Sequence, residues 1–323
     1  MKKSLLALAV LGAVAGAASA QSNVTIYGVA DIGLERTKLS PGASTTALTS
    51  GIQSGSRIGF KGKEDLGGGL AASFQLENGF GLDTGRMGTA NVLFNRQAWV
   101  GIGNNTATIK LGRQYNPLFN AIDTIDPFGT GITGDGSGAI AVFRHYGIRS
   151  NNTVNLSTSA MGLNAELAYS LGEVAGNSSA GRELGLGVGY ANGPLAANVA
   201  YHNQKNATDT VTAKTAFVGA AYDLKFVKAH AAFADNRDSG ATTARSRDWL
   251  LGVSVPVGAG TVLAGFVRHD DRQGAADQDF VQLGYTHGLS KRTNLYTSYS
   301  KLNNKPAGTV DTTWVNVGIR HLF

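Results

Sequence analysis

The sequence predicts an all-β protein, a closed antiparallel barrel that crosses a membrane on about sixteen strands. Three observations predict it. After residue 20 the chain runs as segments of ~9 residues in which apolar and polar side chains alternate. The connections between them are short and long in turn. No apolar run after that point approaches the ~20 residues that a spanning helix needs.

The first residues form an export leader. Lys2 and Lys3 supply a positive start, an apolar stretch follows to Ala17, and Ala18-Ser19-Ala20 has the small-x-small form that a signal peptidase cleaves. Residues 1–20 therefore read as a cleaved secretory signal and 21–323 as one barrel domain. The alternative, a membrane anchor, needs a longer run.

The strands follow in order. In the first, Ile26, Gly28, Ala30, Ile32 and Leu34 share one face and Thr25, Tyr27 and Asp31 the other. In the segment from Leu70, Ala72, Phe74 and Leu76 oppose Ser73, Gln75 and Glu77. Leu163, Ala165, Leu167 and Tyr169 oppose Asn164 and Glu166. The plan recurs through Leu184–Tyr190, Ala216–Tyr222, Val227–Phe233, Trp249–Val255, Val281–Tyr285 and Leu295–Tyr299, and ends with Val315, Val317, Ile319, His321 and Phe323.

Short connections rich in Gly, Asn, Asp or Pro lie at 64–69, 103–105, 192–194, 223–225 and 256–260. Long polar ones lie at 37–53, 79–91, 115–143, 172–182, 203–212, 235–246, 270–278 and 302–312. Such alternation puts tight turns at one end of the sheet and loops at the other, the asymmetry of outer-membrane barrels. A sheet with an apolar outer face must close, because in lipid each unpaired edge group costs several kcal/mol. Tyr169, Tyr190, Tyr201, Tyr222, Tyr285 and Tyr299 near strand ends read as interfacial girdles, against a sheet-core role in a soluble protein.

Composition agrees. Cysteine is absent, proline numbers 6 and glycine 44, which suits a mostly β chain held without disulfides. Mean hydropathy is −0.06, as expected where lipid-facing residues alternate with polar ones. Without Lys2 and Lys3 the balance is 26 basic against 22 acidic residues, an excess neither clustered nor interleaved with aromatics, so nucleic acid is not an expected partner.

Seven stretches resemble one known family. They are Val24-Thr25-Ile26-Tyr27-Gly28-Val29-Ala30-Asp31, Ser56-Arg57-Ile58-Gly59-Phe60-Lys61-Gly62, Glu64-Asp65-Leu66-Gly67-Gly68-Gly69, Asn95-Arg96-Gln97-Ala98-Trp99-Val100-Gly101, Leu111-Gly112-Arg113-Gln114-Tyr115, Leu289-Ser290-Lys291-Arg292-Thr293 and Gly318-Ile319-Arg320-His321-Leu322-Phe323. In order and over the whole mature chain, they resemble the trimeric general porins of β-proteobacterial type. The resemblance implies a sixteen-stranded barrel, a homotrimer in the outer membrane in contact with lipid and lipopolysaccharide, and a third loop folded into the lumen. It also implies that Phe323 belongs to the signal read by the barrel-assembly machinery, against an ordinary last strand residue.

A channel does no bond chemistry; it needs a polar lumen, a narrowing element and charges where the path is tight. The narrowing element is expected at 115–143, the longest connection at about 29 residues. Its Asp123, Asp126 and Asp135 would form the negative side. Arg57 shares parity with Lys61 and Lys63, opposite Ile58 and Phe60, and so faces the polar interior. Arg149 opens a segment with Asn151, Thr153 and Asn155 inward. The resemblance makes Arg57, Arg96 and Arg149 the basic cluster. Arg113 stays open, because its parity with Ile109 and Leu111 points outward yet it sits beside the loop. For each arginine the alternative is a rim charge or a phosphate contact with lipopolysaccharide. A pair ~8 Å apart interacts by about 2 kcal/mol at an effective dielectric near 20, enough to bias ions without trapping them.

The expected function is a water-filled diffusion channel for ions and small hydrophilic solutes with weak anion preference. The alternative is a substrate-selective channel for phosphate or organic acids. A barrel enzyme lacks an acid/base set, a nucleophile elbow or a triad, and an exported soluble adhesin is the remaining class. The six histidines are scattered, so neither a metal site nor a cofactor is expected. Asp270, Asp271 and Asp277 read as a solvated acidic loop in preference to a Ca²⁺ site. Gly185, Gly187 and Gly189 read as strand glycines.

Overall fold

Period-two alternation becomes hydrogen-bonded strand in a computed structural model that describes residues 23–132, 147–241, 243–274, 276–306 and 308–323. The leader expected at 1–20 and Asp135 lie outside these. The strands before the long loop are β1 (Asn23–Ser40), β2 (Ser44–Ser50), β3 (Arg57–Gly67), β4 (Leu70–Gly79), β5 (Gln97–Gly103) and β6 (Ala107–Tyr115). Helix α1 (Pro117–Ile125) lies in that loop. After it come β7 (Arg149–Ala160), β8 (Leu163–Ser170), β9 (Glu183–Asn192), β10 (Leu195–Lys205), β11 (Val211–Asp223) and β12 (Lys228–Gly240). The series ends with β13 (Arg245–Val257), β14 (Gly260–Asp271), β15 (Gln278–Gly288), β16 (Thr293–Asn304) and β17 (Asp311–Leu322).

From β3 onward each strand pairs antiparallel with the next, and β17 returns to β1 in a register running from Val29↔Leu322 to Ser40↔Asp311. The sheet therefore closes and leaves no edge. The other edge of β1 is shared. Its Asn23–Val29 half pairs with β3 and its Ile32–Lys38 half with β2. Segments β2 and β3 thus lie end to end in one position, and the seventeen segments fill sixteen places. The break between them, residues 51–56, turns inward.

The expected parity holds. Outward side chains such as Leu251 (62 % exposed), Val317 and Val100 make an apolar band, while the alternate positions carry buried polar groups such as Asn155, Thr215, Asn236 and Asn316. The strands run further than the apolar pattern. Residues 37–40 and 44–50, read as loop, form a hairpin, and β10, β12, β14 and β16 likewise continue into polar sequence. Ladder pairing needs only backbone N–H and C=O groups, so it persists where lipid no longer selects apolar side chains.

The buried apolar core is off-centre. Leu118, Ala121, Ile122 and Ile125 of α1 pack on inward residues Ala200, Phe217, Ala221 and Ala232 of β10–β12. The described first part of the long loop, residues 116–132, therefore lies inside the barrel along one wall.

Candidate channel constriction

The loop begins with a helix start signal. Asn116 accepts a bond from Phe119 N (2.8 Å), and Pro117 occupies the first turn, where no N–H is required. The connection is thus partly helical, and the Asn116-Pro117 pair is the signal that marks it. Close contact with the wall needs glycine. A Cβ at Gly185 would lie 2.7 Å from Pro117 Cδ, so the strand glycines of β9 make room for the loop.

Polar wall groups then fix the loop. A His230 ring nitrogen lies 2.6 Å from Ile125 O at the helix C-terminus; with Nδ1–H donating there, Nε2 accepts from Ser254 Oγ at 3.0 Å. Asn120 Nδ2 donates to Glu166 Oε2 (2.9 Å). At Ile132 the backbone N donates to Ile52 O (2.7 Å), on the inward break between β2 and β3. That break is held by Asp31, which is fully buried. Its Oδ1 accepts from Tyr296 Oη (2.6 Å), and its Oδ2 from Ser54 N (2.7 Å) and Gln53 N (3.1 Å). Arg320 and Asn294 also donate, to Ser54 Oγ and Gln53 Oε1.

The opposite wall carries the cations. Arg96, just before β5, donates from Nε to Glu77 Oε1 (2.7 Å) and from Nη2 to Tyr115 Oη (2.9 Å). Arg149, first in β7, donates to the same Tyr115 Oη (3.0 Å) and stacks on its ring at 4.6 Å. Tyr115 in turn stacks on Phe119 of α1 at 4.5 Å. Arg57 on β3 lies within Coulombic reach of Arg96, Glu77 and Tyr115. Lys61 on β3 sits over the Tyr27 ring at 5.1 Å. Tyr115 and Glu77 were not singled out by sequence; the inward parity of Glu77 with Gln75 is the signal that could have found it.

Arg113 is turned by backbone geometry. The β6–β7 register shifts between Gly112 and Gln114, and Asn152 on the facing strand has φ +51°. A Cβ at Gly112, with φ +127°, would meet Ala98 O at 2.2 Å. Beyond the shift Arg113 Nε donates to Asn95 O (2.8 Å) and Nη1 to Asn151. Simple alternation does not carry through such a bulge.

The loop acids differ from one another. Asp123 is exposed, and its Oδ1 accepts from Thr130 Oγ1 (2.7 Å). Surrounding protein pushes its carboxyl up, opposed by the Thr130 bond and the Arg57 charge. Arg57 and Asp123 thus lie within each other's field. Asp126 is buried in the loop itself, accepting from Thr130 N (2.8 Å) and Phe128 N (3.2 Å). Burial pushes it up to about 6 despite those bonds. Its carboxylate shapes the loop and does not line the open path.

At the seam Phe323 pairs with Gly28 through both backbone groups (2.9 and 3.2 Å), and its ring lies over Gly28. Among the described residues no group of His, Asp and Glu is arranged to hold a metal. The outer carboxylate Asp271 is taken up by N–H groups of 273, 274 and 276, and Asp277 by Arg268 and Asp271 N.

The geometry can be set beside known proteins. A profile of the Gram-negative porin family matches residues 7–307. The chain is 34 % identical to outer membrane porin protein 32 of Delftia acidovorans, over the full length of both. It is 32 % identical to an outer membrane porin protein of Bordetella pertussis, again over both full lengths. Among solved structures it resembles an anion-selective porin from Comamonas acidovorans, with a TM-score of 0.83 at 30 % identity over 94 % of this chain and all of that one. The trimer form of OmpT from Vibrio cholerae shares the fold alone, with a TM-score of 0.68 at 17 % identity.

Proposed function

This chain belongs to the Gram-negative porin family, and from that premise we propose a weakly anion-preferring diffusion channel whose selectivity is set at the loop and the arginine wall. It is an outer-membrane β-barrel porin and not an enzyme.

One observation carries the finer reading. Arg57, Arg96 and Arg149 gather around Tyr115 and Glu77 on one side of the lumen, with Asp123 on the loop within the field of Arg57. Arg113 and Lys61 flank them. Five cations thus stand against Glu77, Asp123 and Glu183, of which Glu77 is already committed to Arg96 and Glu183 lies in the field of Arg113. The surplus favours anions. The Tyr115 hydroxyl and the Glu77 carboxylate hold the guanidinium groups against the wall, which leaves the path open. An ion is attracted without being bound tightly, as conduction requires.

The same reading includes a homotrimer in contact with lipopolysaccharide, export through the leader at 1–20, and recognition of Phe323 by the assembly machinery. The relatives support the trimer, since OmpT has a trimer form.

The test is substitution of both Arg57→Gln and Arg96→Gln, with reversal potentials read in a KCl gradient. Selectivity is expected to shift towards cations. Unchanged reversal potentials, with the barrel intact on heat-modifiability gels, would remove these arginines from the selectivity path.

A further inference from the structure

Below the arginines, towards the short-turn end, the inner wall of β3–β6 holds three lysines, Lys61 and Lys63 of β3 and Lys110 of β6, and of these the selectivity argument uses Lys61 alone. Lys110 of β6 faces inward, between the outward Ile109 and Leu111. Its stem leans across Gly101 of β5, where a Cβ would lie 3.1 Å from Lys110 Cγ. Its ammonium comes to rest over the Trp99 ring, 4.9 Å from the centroid. On the other side of β4, Lys61 rests over Tyr27 at 5.1 Å, and Tyr27 is itself fixed by Glu77 (2.9 Å) and Gln75 (2.6 Å). Lys61, Gln75 and Trp99 occupy one cross-strand row. Two strand spacings, about 10 Å, therefore separate the backbones of Lys61 and Trp99, with Gln75 between them.

Tryptophan is an unusual lining for a water-filled path. Its use here is specific, because an aromatic face attracts an ammonium and fixes a flexible side chain while leaving its charge available. The next row repeats the cation, with Lys63 aligned through Ser73 and Gly101 to Lys110.

We propose that Lys61 and Lys110, held by Tyr27 and Trp99, form a second anion station for small polycarboxylates, about 13 Å along β3 from Arg57 on the short-turn side. The proposal rests on the anion-channel reading and deepens it. A polycarboxylate presents separated negative groups to two ammonium heads either side of Gln75, whose amide accepts or donates a further bond. A compact anion such as phosphate engages one head at a time. Trp99 is a positioning residue in this scheme.

The test is block of single-channel KCl current by citrate, with inorganic phosphate at equal ionic strength as the comparison. In the unaltered channel citrate is expected to block at lower concentration than phosphate. Lys110→Gln is expected to raise the half-blocking citrate concentration about fivefold, by loss of one nearby charge. Trp99→Leu, with Lys110 retained, is expected to raise it about threefold, the scale of an exposed cation–π contact. Trp99→Phe keeps a ring and is expected to stay near the unaltered value. Citrate block unchanged in both K110Q and W99L would overturn the station, as would equal block by citrate and phosphate. Block lost in the Arg57/Arg96 variant but kept in K110Q would place the anion at the arginines alone and leave the porin reading standing. A reversal potential without anion preference would refute that underlying reading separately.

Discussion

Asp31 holds the point where the constriction loop docks at Ile132 without touching the loop itself. Its two carboxylate oxygens accept from Tyr296 Oη, Gln53 N and Ser54 N, all within 3.1 Å, and the segment so held presents Ile52 O to Ile132 N. Asp31→Leu keeps the volume of the side chain and removes both acceptor oxygens, so Gln53 N, Ser54 N and Tyr296 Oη all lose their partner. The two backbone donors left unpaired cost about 3 kcal/mol together, at about 1.5 kcal/mol each once partial relaxation is allowed for, within the usual range of about 1–3 kcal/mol per group. That lowers the ratio of docked to undocked 51–56 segment about a hundredfold. The ladders on either side, β1 with β2 and β1 with β3, do not depend on the carboxylate, so the barrel is expected to assemble. The assay is single-channel recording in KCl at fixed voltage, with a heat-modifiability gel as the control for folding. D31L is expected to show increased open-channel noise and brief partial closures as the loop moves at Ile132. Currents as quiet as those of the unaltered channel, with a folded barrel, would refute the anchoring argument.

Acid should act through the loop carboxyls. Asp126 is raised to about 6, so the loop fold gains stability as pH falls below that value and loses it as pH rises through 6. Protonation of Asp126 also removes negative charge from the loop, so anion preference is expected to rise between pH 7 and pH 5. Asp126→Asn should flatten that profile, and an equally steep profile in D126N would assign it to other groups. At the seam, Gly28→Ala places a methyl group 2.2 Å from the Phe323 ring and 2.6 Å from Arg57 O. The ring or the strand must move, and outer-membrane yield of heat-modifiable protein is expected to fall severalfold; undiminished yield would show that the Phe323–Gly28 contact is dispensable.

Much of the barrel was legible because lipid imposes a simple rule. Outward residues such as Leu251 and Val317 must be apolar, and alternation then reports the strand and its face. The alternation of turns and loops gave the ends. What escaped the pattern is backbone-driven. Residues 37–50 pair above the apolar band, where composition no longer distinguishes strand from loop. Arg113 was ambiguous because a bulge beside Gly112 breaks the period on which parity depends. Arg57 and Lys61 could be assigned to the interior by parity, whereas the Arg96–Glu77 pair and the shared Tyr115 hydroxyl join residues from separate strands and need the closed sheet to be seen. Asp123 and Asp126 look alike in sequence. They part because one faces Thr130 at the loop surface and the other is enclosed by the loop's own N–H groups.

A weakly anion-preferring channel needs an open aqueous path with a surplus of fixed positive charge. Its most direct test is the zero-current potential of the purified, reconstituted protein across a tenfold KCl gradient, measured with single-channel conductance over rising KCl. Ohmic, non-saturating conductance is expected, with a potential of the sign that marks chloride as the more permeant ion. A potential marking potassium as the more permeant ion would contradict it.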